Sequence, residues 1–297
     1  MFCCADSIIT SFKKSQQSSN HNNLTMKKIV FFIIYIVIFS ACDNTTTEPS
    51  NKFVIEAFLY ANEPVSDIYI KSTFPISEVN DISEPISDAQ VTLRKNNTTY
   101  PLVPSDSVGY YHYPDTDLTV ETGDVFQLEV TYEGVTATAE TIVPTPTEGL
   151  QVMPDTMLFP LLGFGPTPDS VRAYLGSLRM TATWDNPLED YYYLTIESIA
   201  DTPQSIFPDM IASILARFKY VSEPTNGISI TVPGVSFTSL GTHRVKVYHI
   251  NQEYVDLYLN QEQDSRDLNE PPSNVKNALG IFSAFNSQEF LMEIGRL

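Results

Sequence analysis

The sequence predicts an all-β protein: an N-terminal immunoglobulin-like β-sandwich followed by a second β-rich domain with one or two short helices. Three observations carry that expectation. Phe126, Leu128, Val130 and Tyr132 alternate with Gln127, Glu129 and Thr131, the period-two signature of a half-buried strand. Glu133-Gly134 follows, then Val135-Thr136-Ala137-Thr138-Ala139, and two strands joined by two residues ending in glycine make a hairpin. Turn signals also recur between short apolar runs, at Asn62-Glu63-Pro64, Asn96-Asn97, Pro104-Ser105-Asp106 and Glu121-Thr122-Gly123-Asp124. Short strands at that spacing suit a sandwich.

The first segment, 1–25, is polar over Asp6–Asn23 and has no helical or strand period. It is expected to be an extension from a misplaced start ahead of Met26. Residues 26–41 have the parts of a lipoprotein export signal: Met26-Lys27-Lys28, the apolar run Ile29–Phe39, then Ser40-Ala41 before Cys42. Eleven residues make only about 16 Å of helix at 1.5 Å per residue. A bilayer core of about 30 Å needs roughly 20 apolar residues. A cleaved signal therefore fits better than a spanning helix, and lipid on Cys42 is the expected anchor. Residues 42–51 are a polar tether. From Asp43 to Asn51 it reaches at most about 30 Å.

Within 52–143, Phe53–Tyr60, Asp67–Thr73, Ala89–Lys95 and Gly109–Tyr113 are the further strand candidates. Pro144-Thr145-Pro146-Thr147 disfavours continued strand pairing, so 144–149 is expected to be a Pro-rich linker. Within 150–297 the strands expected are Ser177–Trp184, Tyr191–Ser198, Gly227–Val232, Thr242–Ile250 and Gly280–Ala284. Asp209–Phe218 places Met210, Ile211, Ile214, Leu215 and Phe218 on one helical face. Asn251 is expected to cap a second short helix with Tyr254, Leu257 and Tyr258 inward.

Charge and cysteine usage narrow the function classes. Of 17 Lys and Arg, four precede Cys42, and of 36 acids only Asp6 does, so the chain from Cys42 onward carries −22. A surface this acidic repels phosphate backbones, so no nucleic-acid partner is expected. The only cysteines are Cys3, Cys4 and Cys42. The body therefore has no disulfide, cysteine-ligated zinc or thiol catalysis, and must rely on its core alone.

The residue patterns give chemistry little to work with. His243 and His249 share a strand face but lie six residues apart, about 20 Å along a strand. That is too far to hold one ion. The sequence contains neither a Gly-x-Ser-x-Gly elbow nor a His-Glu-x-x-His motif. Glu189-Asp190 beside Tyr191–Tyr193 could line a sugar site, but the favoured reading is a turn entering a strand with core tyrosines. Asp115-Thr116-Asp117 with Glu121 and Asp124 could ligate calcium through oxygen, but an acidic solvated loop is the better reading. Asp106-Ser107-Val108, Asp155-Thr156-Met157 and Asp169-Ser170-Val171 have the form of acid–hydroxyl–apolar O-glycosylation sites. Met157–Pro166 is apolar and rich in Gly and Pro. The favoured reading is a loop tucked between the two domains; the second makes Phe159, Leu161, Leu162 and Phe164 candidates for a partner-facing loop.

Several motifs stand in order along the chain: the lipobox cysteine, Ala139-Glu140-Thr141-Ile142-Val143-Pro144, Trp184-Asp185-Asn186-Pro187 with Tyr191-Tyr192-Tyr193-Leu194, and Ile250-Asn251-Gln252-Glu253-Tyr254. Asn269-Glu270-Pro271-Pro272-Ser273-Asn274-Val275 and Leu279-Gly280-Ile281-Phe282 complete the series. In order and spacing the chain resembles the bacterial outer-membrane lipoprotein family catalogued as domain of unknown function 4249, over nearly all of Cys42–Leu297. One position departs from the pattern: Ala278 stands where a glycine is expected. The resemblance implies a lipoprotein often encoded beside TonB-dependent receptors, and it supplies no catalytic residue. The expectation is thus a lipid-anchored, non-catalytic accessory or binding component of an outer-membrane transport system, with no cofactor and no metal. Its partners would be the membrane, through lipid on Cys42, and an outer-membrane receptor. A surface adhesin or glycan-binding module is the alternative, and an envelope hydrolase the second.

Overall fold

The computed structural model describes residues 53–73, 83–161, 168–207, 219–261 and 273–297. Cys42, the signal segment and the expected helix Asp209–Phe218 lie outside the described residues. The chain is mostly strand. In the first half come β1 (Phe53–Tyr60), β2 (Asp67–Ser72), β3 (Gln90–Lys95), β4 (Thr98–Pro104), β5 (Tyr110–His112), β6 (Val125–Tyr132) and β7 (Val135–Ile142). Then follow β8 (Glu148–Met153), β9 (Thr156–Phe159), α1 (Asp169–Ser177), β10 (Arg179–Asp185), β11 (Tyr191–Ser198), β12 (Gln204–Ser205), β13 (Tyr220–Val221) and β14 (Ser229–Pro233). β15 (Ser239–Ile250), α2 (Gln252–Gln261) and β16 (Leu279–Arg296) complete the described fold.

Local sequence explains the hairpins. Glu133 (φ 47°) and Gly134 (φ 80°) both take positive φ, as the two-residue turn matching strand twist requires. Asn96 and Asn97 do the same between β3 and β4. β4 was not expected, because Pro101 and Pro104 argue against a strand. Pro101 sits opposite Thr92 of β3, while β4 meets β5 only at Val103 and Pro104. A missing N–H is tolerated where a strand has one partner.

One sheet of 13 strands runs β13-β11-β15-β16-β1-β2-β5-β4-β3-β6-β7, with β12 on β15 and β9 on β16. It turns over through β4, so β3-β6-β7 pack across β16-β1-β2-β5 as a sandwich. Alternate residues of both layers fill the first core: Ile55, Ala57 and Leu59 face Leu93, Phe126, Leu128 and Val130. The remaining sheet, β14-β10-β8, covers one face of β11-β15-β16 over a second core of Met180, Trp184, Leu194, Val245, Val247 and Met292. On the opposite face α2 covers a third cluster that includes Tyr193, Tyr248, Ile250, Val255 and Phe285.

β16 organises all of this. It was expected as five residues and is eighteen. Its first part pairs in parallel with β1, Val54 opposite Leu279 through Tyr60 opposite Phe285. From Phe285 on it pairs antiparallel with β15, and at its far end in parallel with β9. Asn51–Leu297 accordingly forms one compact unit. The expected division at 144–149 separates the two main cores along most of the chain, but Val275, Ala278, Phe282 and Ala284 return to the first core.

The expected linker is strapped down along its length. The Asn286 amide donates to Pro144 O at 2.9 Å, His249 Nδ1 to Thr145 O at 2.8 Å, and the Thr147 hydroxyl to Val247 O at 2.9 Å. α1 stands where no element was expected. α2 begins as expected after Asn251, whose carbonyl accepts from the N–H groups of Tyr254 and Val255. Its side chain does not cap the helix. It donates instead to Ile142 O at 2.8 Å and Ala284 O at 3.3 Å.

Candidate functional site

The proposed loop residues divide. Phe159 is in β9, opposite Arg296 of β16, and only 2% exposed within the second core. This corrects the partner-facing expectation for Phe159: the parallel pairing of β9 turns Met157 and Phe159 inward. Leu161, two residues on, is 83% exposed. Leu162 and Phe164 lie outside the described residues. The stem is pinned by Arg296, which donates to Pro160 O at 2.9 Å and to Ser205 O at 3.2 Å.

The histidines are built into the scaffold. His243 is buried against Phe237, with Nδ1 donating to Gly241 O at 2.9 Å, and burial pushes its pKa down. His249 comes nearest to a catalytic arrangement. It has Asp190 Oδ2 3.5 Å from Nε2 and the Thr145 hydroxyl 3.3 Å from Nδ1. A carbonyl only accepts, so the shorter contact to Thr145 O fixes the proton on Nδ1. That nitrogen then has no lone pair with which to take a proton from the Thr145 hydroxyl. The ring is 7% exposed and stacked on Tyr192 at 4.8 Å. The group ties linker, turn and strand together.

Glu189-Asp190 forms the turn. Glu189 has φ 58°, and Asn186 accepts from the Asp190 N–H and donates to Asp190 O, both at 2.9 Å. Tyr192 and Tyr193 are buried. Tyr193 stacks on Tyr248 at 4.8 Å and on Tyr254 at 5.7 Å, in a cluster that Phe285 and Tyr60 complete. Burial drives the phenols of Tyr60 and Tyr193 far above their ordinary range. Burial also raises the Asp67 carboxyl, against the opposing effect of the hydrogen bond it accepts from Tyr60. No saccharide platform is offered by rings packed against one another in this way.

The acidic segment 115–124 is a set of local ties. Asp117 accepts from the Tyr113 hydroxyl at 2.7 Å, which pushes that phenol up to about 12. Asp124 accepts from the Glu121 N–H and pairs with Lys95 at 2.6 Å. Among the described residues no group of three or more His, Cys, Asp or Glu is placed to hold a metal.

Two concavities stand out among the described residues. A polar trough of about 390 Å³ crosses the outer face of β3-β6-β7, with Arg94, Glu129, Glu140 and Lys276 among its walls and no aromatic ring. A bowl of about 350 Å³ lies between the β1–β2 turn and the β5–β6 connection. No local pattern signals the bowl, because its two walls are about 50 residues apart in the chain.

The motifs of the ordered series are structural joints. Asn274 Nδ2 donates to Phe282 O at 2.7 Å, and its Oδ1 accepts from the Phe282 N–H at 2.9 Å. Gly280 (φ 112°) sits where any Cβ would run into the Ile55 backbone carbonyl. These joints and the shared strand define an all-β scaffold of two main cores held on one spine. The chain belongs to the family described as "Domain of unknown function (DUF4249)", which matches residues 42–290. No curated protein matches it. Among solved structures, domains A168–A170 of titin align at 11% identity and a TM-score of 0.22 over 82% of this chain and 66% of that one. A Dscam structure solved for isoform specificity aligns at 12% and 0.18 over 82% and 44%. The chain thus spans about two thirds of the one and under half of the other, and scores this low carry no argument.

Proposed function

We propose that the protein is a lipid-anchored component of the cell envelope, held by lipid on Cys42. Its body serves as a non-catalytic binding or accessory part beside an outer-membrane transport receptor. The observation that carries this reading is the coincidence at Cys42. The residue selected by lysines, apolar run and small-residue exit is also the residue at which the family match begins. Strand β1 starts only 11 positions later, so the folded body would stand close to the membrane. The joint-like roles of Asn186, Asn251 and Asn274 support a scaffold reading of the motifs, and the strong negative charge supports a partner other than nucleic acid.

Intact-mass analysis of the exported chain tests the anchor. A lipidated N-terminus at Cys42 is expected, with loss of lipid and release from the membrane fraction in Cys42→Ala. An unlipidated wild-type chain would overturn it. Co-purification after gentle solubilisation tests the partner, and recovery of no receptor counts against that half of the reading.

A further inference from the structure

The bowl beside the β1–β2 turn combines two chemistries. Its floor is apolar: Pro64, Val65, Leu118 and Val120 line it, and the last three are buried residues of the first core. Its rim is acidic, with Glu63, Asp115 and Glu121. Glu63 is engaged by Lys246 at 2.9 Å, whereas Asp115 and Glu121 carry no ion pair from their side chains among the described residues. Tyr113 forms part of the wall, and its hydroxyl is turned to Asp117. Pockets that bind are largely apolar with a few placed polar groups, and this one adds charge of a single sign.

We propose that the bowl is a docking site for a polypeptide partner that presents an arginine beside an aliphatic side chain. Charge complementarity selects the cation, and the charge of −22 carried from Cys42 onward would speed its arrival. The planar guanidinium suits both the carboxylates and the tyrosine face. A small free amine would satisfy the rim and leave the apolar floor wet, while an Arg-aliphatic pair covers both. The inference builds on the reading of the body as a binding component but does not require the lipid.

The test is titration of the isotope-labelled full chain in detergent micelles with acetyl-Arg-Leu-amide, following backbone amide shifts. Saturable shifts confined to Val65, Thr116, Val120 and their neighbours are expected. The Asp115→Asn/Glu121→Gln variant should bind about tenfold or more weakly. Glu129→Gln/Glu140→Gln, in the separate trough, should leave binding unchanged. Both variants alter exposed side chains, and their far-UV spectra report whether they fold. Equal binding of the citrulline peptide would overturn charge recognition. Equal binding of agmatine would replace the polypeptide by a small cation. Shifts elsewhere, or none, would overturn the site. Loss of binding with lipidation intact would leave the anchor standing, and the reverse result would leave the bowl standing.

Discussion

Four asparagines do at the residue scale what a strand ladder cannot. Asn186 closes its own turn and reaches Asn226 O at 2.9 Å. Asn251 joins β7 to β16, and Asn286 joins β16 to Pro144 and, at 2.9 Å, to Thr122. Asn274 presents donor and acceptor to Phe282 as a neighbouring strand would. Each satisfies at least one partly buried backbone group, and such a group left unpaired in the interior costs about 1–3 kcal/mol. Gly280 belongs to the same construction, since the parallel approach of β1 leaves no room for a side chain. Gly280→Ala should therefore destabilise the protein by about 2–4 kcal/mol, read as a lower urea midpoint at unchanged slope. Asn186, Asn251, Asn274 and Gly280 could be read in the sequence as members of an ordered series of motifs, whereas Asn286 could not. Their work could not, because every partner except the Asn186 turn is remote or depends on strand geometry. Ala278, the departure from the family pattern, is a buried member of the first core.

At the scale of elements, alternation decided what could be read. β1 and β11 have the bounds expected from pattern alone, and the β6–β7 hairpin has its expected two-residue turn. β8, β9 and α1 were missed because Gly, Pro and short length hide their periods. β16 was cut short at Ala284 because Asn286-Ser287-Gln288-Glu289 reads as polar loop. Asn286 is nevertheless only 4% exposed, its amide satisfied by tertiary bonds that no local window contains. The apolar segment after β8 shows the same limit. Composition marked it as unusual but could not say which side chains turn inward. Phe159→Ala should cost about 3–5 kcal/mol, as expected for a buried aromatic. Leu161→Ser should change stability by no more than about 0.5 kcal/mol. Thermal melts of the two variants measure the difference, and similar losses in both would contradict the placement of β9.

For the whole molecule, the buried titratable groups set a pH window. Tyr60 and Tyr193 have phenol pKa values raised in the fold above the ordinary 10.0. Their contribution is complete below that value and is lost as pH rises past it. His243 is lowered from 6.5, so its contribution is present above that value and is lost as pH falls below it. A stability plateau between about pH 7 and 9.5 is expected, with a loss on each side. Melting temperature across pH measures it, and Tyr193→Phe should soften the alkaline limb. An alkaline limb unchanged in that variant would remove the tyrosine cluster as its cause. The acid side is shared with the many carboxylates, so His243→Gln is the informative variant there.

The long last strand also dictates an order of events. β1 and β16 are more than two hundred residues apart in the chain, yet they lie side by side, and β16 supplies residues to all three cores. Neither core is complete until that strand arrives. The local hairpins β3–β4 and β6–β7 can form early, but the loop closure that joins β1 to β16 comes late and carries a large entropic cost. So non-local a topology folds slowly and leaves apolar strand faces open while it waits. During synthesis, β1 to β15 would all exist before the strand that joins their cores.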